Sequence, residues 1–178
     1  MGRAAEKTFP VPILAPIGLT QGIAIRLARP AEKPLLDALC FRAKAHWGYD
    51  AEFMHLCAAA LTVSEASIAA GRVLVATDAA GRAIGTVSVA EDGDMAELAL
   101  MFVDPPAIGS GTGRALFEEA VTLARRLGYR RMTILADPNA APFYERMGAR
   151  FVRNAPSDAI PGRTLPLYEY DLTAEGRS

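Results

Sequence analysis

The chain has 178 residues and a mass of 18.9 kDa, the size of one ordinary domain with room for a full core. Hydrophobic residues make up 51% and charged residues 22%, which excludes a disordered chain. With 19 Lys and Arg against 20 Asp and Glu, the net charge is −1, so no global basic field exists to hold nucleic acid or an anionic membrane. The two cysteines, Cys40 and Cys57, make no disulfide scaffold and point to a reducing cytoplasm. No stretch is long and apolar enough to cross a bilayer.

Arg3 and Lys7 precede an apolar run from Phe9 to Leu19, a faint echo of a secretion signal. Pro10, Pro12 and Pro16 interrupt that run, and no small-x-small cleavage site follows it cleanly. Residues 1–20 are therefore expected to form a proline-stiffened extension that packs on the domain or on a partner chain, with residues 21–178 as one domain. Ile23–Leu27 is short, β-branched and strand-like. Ala31–Trp47 predicts a helix, with Leu35, Leu36, Leu39 and Ala43 at helical spacing. Asp50 is placed to cap a second helix running through Phe53, Met54 and Cys57 to Leu61, and Ser64-Glu65 opens a further short turn. Arg72–Thr77, Ala83–Ala90 and Met95–Val103 predict three strands in a meander, joined by the polar turns Asp78–Arg82 and Glu91–Asp94. Asp104-Pro105-Pro106 stops the third strand, and a glycine-rich turn leads into a long helix. Its expected apolar face is Leu116, Ala120, Leu123, Ala124 and Leu127, and Gly128 ends it. Met132–Leu135 predicts a strand parallel to Met95–Val103, by the usual right-handed crossover. Asn139–Met147 is a short helix, and Ala149–Val152 and Leu165–Asp171 are closing strands. The order is α/β: helices first, then a meander, one βαβ unit and a hairpin.

The segment Glu97–Arg114 carries the chemistry. A buried strand, a proline stop and Gly109-Ser110-Gly111-Thr112-Gly113 lead directly into a helix. Glycines permit positive φ and close approach of the main chain, and consecutive N–H groups at the positive end of a helix form an anion site. Arg114 works against the helix dipole unless an anion sits there; the plainer alternative is a flexible loop with a solvated arginine. A nucleoside triphosphate loop would need a lysine that is missing here. A dinucleotide fold would need a third glycine where Arg114 stands, and an acidic ribose partner that is also missing. The diphosphate of coenzyme A remains.

Glu97-Leu-Ala-Leu-Met-Phe-Val-Asp-Pro, then Gly109-Ser-Gly-Thr-Gly-Arg, then Asp137-Pro-Asn-Ala-Ala-Pro-Phe-Tyr-Glu-Arg-Met-Gly148 resembles the GNAT superfamily of acetyl-CoA-dependent N-acetyltransferases. The resemblance covers roughly Ile23 to Asp171 in element order and is most specific over Glu97–Gly148. It departs at Ile108, where the family often carries Gln or Arg, so only the main chain can contribute there. It implies an acyl-CoA acyltransferase fold: a central mixed, mostly antiparallel sheet with one βαβ unit and helices on both faces. It implies acetyl-CoA as co-substrate, with the backbone of Gly109, Ser110, Gly111, Thr112, Gly113 and Arg114 on the pyrophosphate. The strand end Met101, Phe102 and Val103 would pair with the pantetheine arm across a splay between Met95–Val103 and Met132–Leu135, where members usually have a bulge. An amide near Met101 or Phe102 would polarise the thioester. Asn139, an ideal N-cap by residue type, and Phe143 would flank the cofactor. Tyr144 matches the usual general acid, against the alternative of a core tyrosine. Glu97 matches a common base, frequently acting through water, against the alternative of an exposed strand-end carboxylate.

Acceptor specificity in this fold comes from the first helices and the last hairpin. Trp47 and Tyr49 are candidate pocket residues, or simply fill a helix corner. Arg163 is a candidate clamp for a carboxylate, or faces water. The expected acceptor is a small primary amine that receives the acetyl group directly, since Cys40 and Cys57 lie outside the cofactor motifs. Cys40, His46, His55 and Cys57 match no familiar zinc spacing, so no metal is expected. The closing hairpin offers an edge strand with which a second copy could form a homodimer. The competing class is an acyl-CoA-binding sensor that kept the fold and lost turnover.

Overall fold

The computed structural model describes residues 17–20 and 22–173, so residues 1–16 of the expected extension lie outside the described part. The elements run β1 (Ile17–Thr20), β2 (Ile23–Leu27), α1 (Lys33–Ala45), α2 (Ala51–Cys57), α3 (Glu65–Ala69), β3 (Val73–Thr77), β4 (Ala83–Asp92), β5 (Met95–Val103), α4 (Thr112–Arg126), β6 (Arg131–Leu135), α5 (Ala141–Arg146), β7 (Arg150–Pro156) and β8 (Thr164–Asp171). One eight-stranded sheet holds them in the order β1-β2-β3-β4-β5-β6-β8-β7. The meander and the parallel β5–β6 pair are as the sequence predicts, and every other neighbouring pair is antiparallel.

The order "helices first" needs correcting. Residues 17–20 pair with β2, so the end of the expected extension joins the sheet and two strands precede α1. The capping residues read from sequence do their work: Asp50 accepts from the Phe53 N–H at 2.8 Å, and Ser64 accepts from the Ser67 N–H at 3.2 Å.

Alternation along the strands splits the core in two. Ala96, Leu98, Met101 and Val103 of β5 join the layer under α4 and α5, with Leu116, Phe117 and Ala120. Leu100 and Phe102 join the opposite layer, with Leu36, Cys40, Met54 and Cys57 of α1 and α2. Both cysteines are buried there, and burial pushes the Cys40 thiol up to about 12, so both behave as small hydrophobes. Among the described residues no helix is long and apolar enough to cross a membrane. Two predicted apolar positions face out: Leu35 on α1, and Leu127, which lies just past the end of α4 where the chain turns at Gly128. Phe117 and Val121 are buried on α4 instead. β7 is the edge strand opposite β1, with Phe151 and Val152 more than half exposed.

One glycine sets how closely α4 approaches the sheet. A Cβ on Gly85 of β4 would lie 2.7 Å from Leu116 Cδ1, 3.1 Å from the Phe102 carbonyl oxygen and 3.2 Å from Thr112 Cγ2. The missing side chain lets the first turn of α4 press against β4, with Thr112 fully buried. Gly85→Ala is expected to destabilise the protein by about 1–3 kcal/mol, because the Phe102 carbonyl cannot retreat without leaving its strand. A shifted urea midpoint at unchanged slope is the measurement.

Candidate active site

β5 and β6 are paired only at Ala96–Met132 and Glu97–Thr133, and beyond them the strands diverge. The β4–β5 register slips here, from Leu98–Val89 to Leu100–Ser88, leaving Ala99 as the extra residue of a bulge. Past the bulge the Asp104 N–H donates to the Ile84 carbonyl at 2.9 Å. Antiparallel alternation then commits the main chain of Phe102 to Thr86 and that of Leu100 to Ser88. The N–H and C=O groups of Met101 and Val103 turn the other way, toward the gap. The structure thus separates the three strand-end candidates. Met101 and Val103 present main chain to the open edge, whereas Phe102 presents only its side chain, on the α1–α2 face.

At the mouth of this gap lies the glycine turn. Gly109 and Gly111 sit at φ +84° and +88°, backbone that only glycine adopts freely. Ser110 Oγ donates to the Ala107 carbonyl at 2.7 Å and shares a 2.8 Å hydrogen bond with Thr112 Oγ1. Gly111 caps α4 without a side chain. The N–H groups of Gly109, Gly111, Thr112, Gly113 and Arg114 meet no acceptor among the described residues. Phe143 lies against this turn, 3.5 Å from where a Cβ on Gly113 would be, with its edge toward Phe117 and Tyr144. The Arg114 side chain is 69% exposed and only 3.9 Å from Glu118, so it is held weakly. Ile108 is half exposed beside it.

Tyr144 and Glu97 occupy opposite faces of the sheet. Tyr144, on α5, is buried against Phe117 and Phe143. Burial, reinforced by the charge of Asp137, pushes its phenol well above the ordinary value, so it keeps its proton. Glu97 is half-buried, between Ala96 and Leu98, which both point under α4. Its own side chain therefore points to the α1–α2 face. Burial raises its carboxyl above the ordinary glutamate value, and Asp92 and Asp158 add to the rise.

On the far side of the gap a polar cluster ties together three segments distant in sequence. Asp137, just after β6, forms an ion pair with Lys44 of α1 and accepts from the Tyr49 hydroxyl at 2.8 Å. Arg163, from the β7–β8 loop, donates to the Tyr49 oxygen at 3.2 Å and lies 3.9 Å from Asp137. Tyr49 stacks on Phe53 with centroids 4.0 Å apart, and the two cations lie over these rings. Tyr49 and Arg163 are thus brought together as acceptor-side candidates. Trp47 is not: it is 45% exposed and packs edge-on against His46. Asn139 is not the cap of α5. Ala140 takes that position, and the Ala140 and Ala141 N–H groups donate to the Asp137 carbonyl oxygen. The Asn139 amide reaches Asp137 Oδ1 at 3.0 Å and the Tyr49 oxygen at 3.2 Å instead. Lys44, Phe53 and Asp137 escaped the sequence reading. The signal for Asp137 was its place in Asp-Pro-Asn, where an Asx turn uses the carboxylate locally and the Asn139 N–H indeed donates to it at 2.9 Å.

Burial would push the Asp137 carboxyl up, but the hydrogen bonds from Lys44, the Asn139 N–H and Tyr49 outweigh it and hold the group below the ordinary range. The folded state therefore binds this proton less tightly than the unfolded state. The resulting stability is present above the ordinary aspartate pKa and is lost as pH falls through the lower, folded value. Asp137→Asn is expected to cost about 2 kcal/mol at neutral pH, with the deficit shrinking below about pH 4. Thermal melts of both proteins across pH 2.5–7 measure it.

Residues 69–148 match the family model described as an acetyltransferase (GNAT) domain. No curated protein matches the chain in sequence. Among solved structures, a GCN5-related N-acetyltransferase from Rhodopseudomonas palustris superposes with a TM-score of 0.70 at 22% identity, covering 86% of this chain and 98% of its own. The PaiA N-acetyltransferase of Thermoplasma acidophilum, solved with coenzyme A, gives 0.69 at 16% identity, covering 84% and 98%. The YncA protein of Salmonella typhimurium, solved with acetyl-CoA, gives 0.60 at 21% identity, covering 88% and 97%. The matched span holds the bulged strand, the bare glycine turn and the Tyr144 helix, and the chain as a whole shares the fold of GNAT acetyltransferases.

Proposed function

We propose that the protein moves an acetyl group from acetyl-CoA to a primary amine, a small molecule, by direct transfer. The observation that carries this is the pairing of an open β5 edge with a run of unpartnered amides at the start of α4. A long ligand with a diphosphate at one end and an amide-rich arm matches both. The diphosphate meets the positive end of the helix, and the arm adds as a strand to the exposed edge. Two structural relatives solved with coenzyme A and acetyl-CoA support the same ligand.

The chain's own groups supply the rest. Gly109, Ser110, Gly111, Thr112, Gly113 and Arg114 hold the diphosphate, with Phe143 and Asn139 flanking the arm. Met101 and Val103 pair with it, and the Met101 N–H faces the thioester oxygen. Such a preorganised donor is worth about 3 kcal/mol in the transition state. As the new C–N bond forms and the C–S bond breaks, the amine loses one proton and the sulfur gains one. Glu97 takes the first through water, its raised affinity for protons suiting a base. Tyr144, kept neutral by burial, gives the second. Tyr49 and Arg163 line the acceptor side.

The test is a panel of amines and peptides with free-thiol release as readout. Release that depends on a small amine supports the transferase. Slow hydrolysis of acetyl-CoA indifferent to every acceptor would mark a binding module that lost turnover. Tyr144→Phe is expected to lower kcat about 100-fold while coenzyme A affinity by calorimetry stays put; unchanged kcat at saturating substrate removes Tyr144 from the chemistry. Glu97→Gln is expected to shift the acidic limb of the kcat/KM profile, and an unshifted limb assigns the base elsewhere.

A further inference from the structure

We infer that the acceptor amine carries a carboxylate, taken by Arg163 against a wall braced by Lys44 and Asp137. This rests on the acetyltransferase function and narrows its substrate class. Lys44 and Arg163 both lie within 4 Å of Asp137 Oδ2, and one carboxylate cannot neutralise two cations. The side chains of Lys44, Asp137 and Arg163 are only 12%, 13% and 21% exposed, so the surplus positive charge is poorly screened by water. Contacts with ring faces ease part of it: Arg163 lies 4.7 Å from the Phe53 centroid and Lys44 4.9 Å from that of Tyr49.

The two cations differ in what they can still do. Lys44 is anchored on Asp137 and, as an ammonium, can offer another group only single-point contacts. The oxygens of Asp137 are themselves taken, Oδ2 by Lys44 and Tyr49 and Oδ1 by Asn139. Arg163 uses one guanidinium nitrogen, on Tyr49, and its remaining donors meet no partner among the described residues. The other acidic groups of this face, Glu97 and Asp158, form no ion pair with it. Its main chain is pinned at both ends, the N–H donating to Ile160 and the carbonyl accepting from Ser157. A fixed, partly desolvated guanidinium with an open fork suits a carboxylate, which accepts two parallel hydrogen bonds. The cluster also stands at the start of the helix that carries Tyr144, because the Ala140 and Ala141 N–H groups that open α5 donate to the Asp137 carbonyl. An acceptor whose carboxylate and amine lie a few bonds apart, as in an amino acid, matches this placement of Arg163 near the start of α5. An acceptor with an amine alone would bring a further cation to an unbalanced cationic wall.

The experiment compares matched triples: an amino acid, its carboxamide and the amine lacking the carboxyl carbon. In the wild type, kcat/KM for thiol release should favour the amino acid by about tenfold or more. Arg163→Gln should close that gap, and Arg163→Lys should restore part of it, with both variants binding coenzyme A normally as the check on folding. Equal rates across the triples in the wild type overturn the inference while leaving the transferase intact. Calorimetry without turnover separates the two claims from the other side. With coenzyme A saturating, an N-acetyl amino acid should bind more tightly than its amide, and Arg163→Gln should erase the difference. If the two bind equally, the inference fails whatever the panel shows. If no amine releases thiol, the transferase function fails and the calorimetric preference alone decides for or against a carboxylate site.

Discussion

The molecule is organised around a fault in its own sheet. Backbone N–H and C=O groups in a sheet centre are normally paired, and leaving them open is costly unless something else fills the gap. Here β5 and β6 separate after two residue pairs, in the middle of an eight-stranded sheet. The bulge at Ala99 produces the separation by spending one residue without advancing the ladder. It also inverts which side chains face which layer, so Glu97 and Leu100 fall on one face although they stand three positions apart. A single inserted residue thereby opens the edge, aims the Met101 main chain into it and leaves Glu97 and Leu100 on the α1–α2 face.

The second constraint is proximity. The glycine turn is useful only if its amides stand at the end of the open edge. That requires α4 to lie tight against β4, and the absent side chain at Gly85 permits it. Thr112, fully buried, and Phe143, packed on the first turn, complete the seat. The same packing places Tyr144 on the α4 side of the gap, in a setting dry enough to hold its proton. The fold thus separates the two ends of the proposed proton traffic, a raised carboxyl on one face and a raised phenol on the other.

What was legible in the sequence was what depends on neighbours in the chain. The meander, the crossover helix, the Asp50 cap and the glycine turn are local patterns, and local pattern located them. Leu127 misled because helical periodicity continues on paper beyond the residue where the chain turns at Gly128. Asn139 misled because its type suits a cap, while the carbonyl of Asp137 already serves the first amides of α5. Gly85 was invisible, since its reason lies in a helix that packs on it from 31 residues away, at Leu116. The Lys44–Asp137–Arg163 cluster was invisible for the same cause: nothing in three isolated charged residues announces that they share one spot. Tyr49 and Arg163 were found individually, but what joins them is the tertiary structure.

The bond from residue 44 to residue 137 spans more than half of the chain, and Arg163 lies further still toward the end. Synthesis delivers the helical corner that carries Lys44, Tyr49 and Phe53 long before either partner exists. Lys44 gains its counter-ion only when Asp137 arrives, and Tyr49 and Phe53 gain Arg163 only with the closing hairpin. This cluster is therefore among the last parts of the molecule to mature, and the part most exposed to any loss at the carboxyl end.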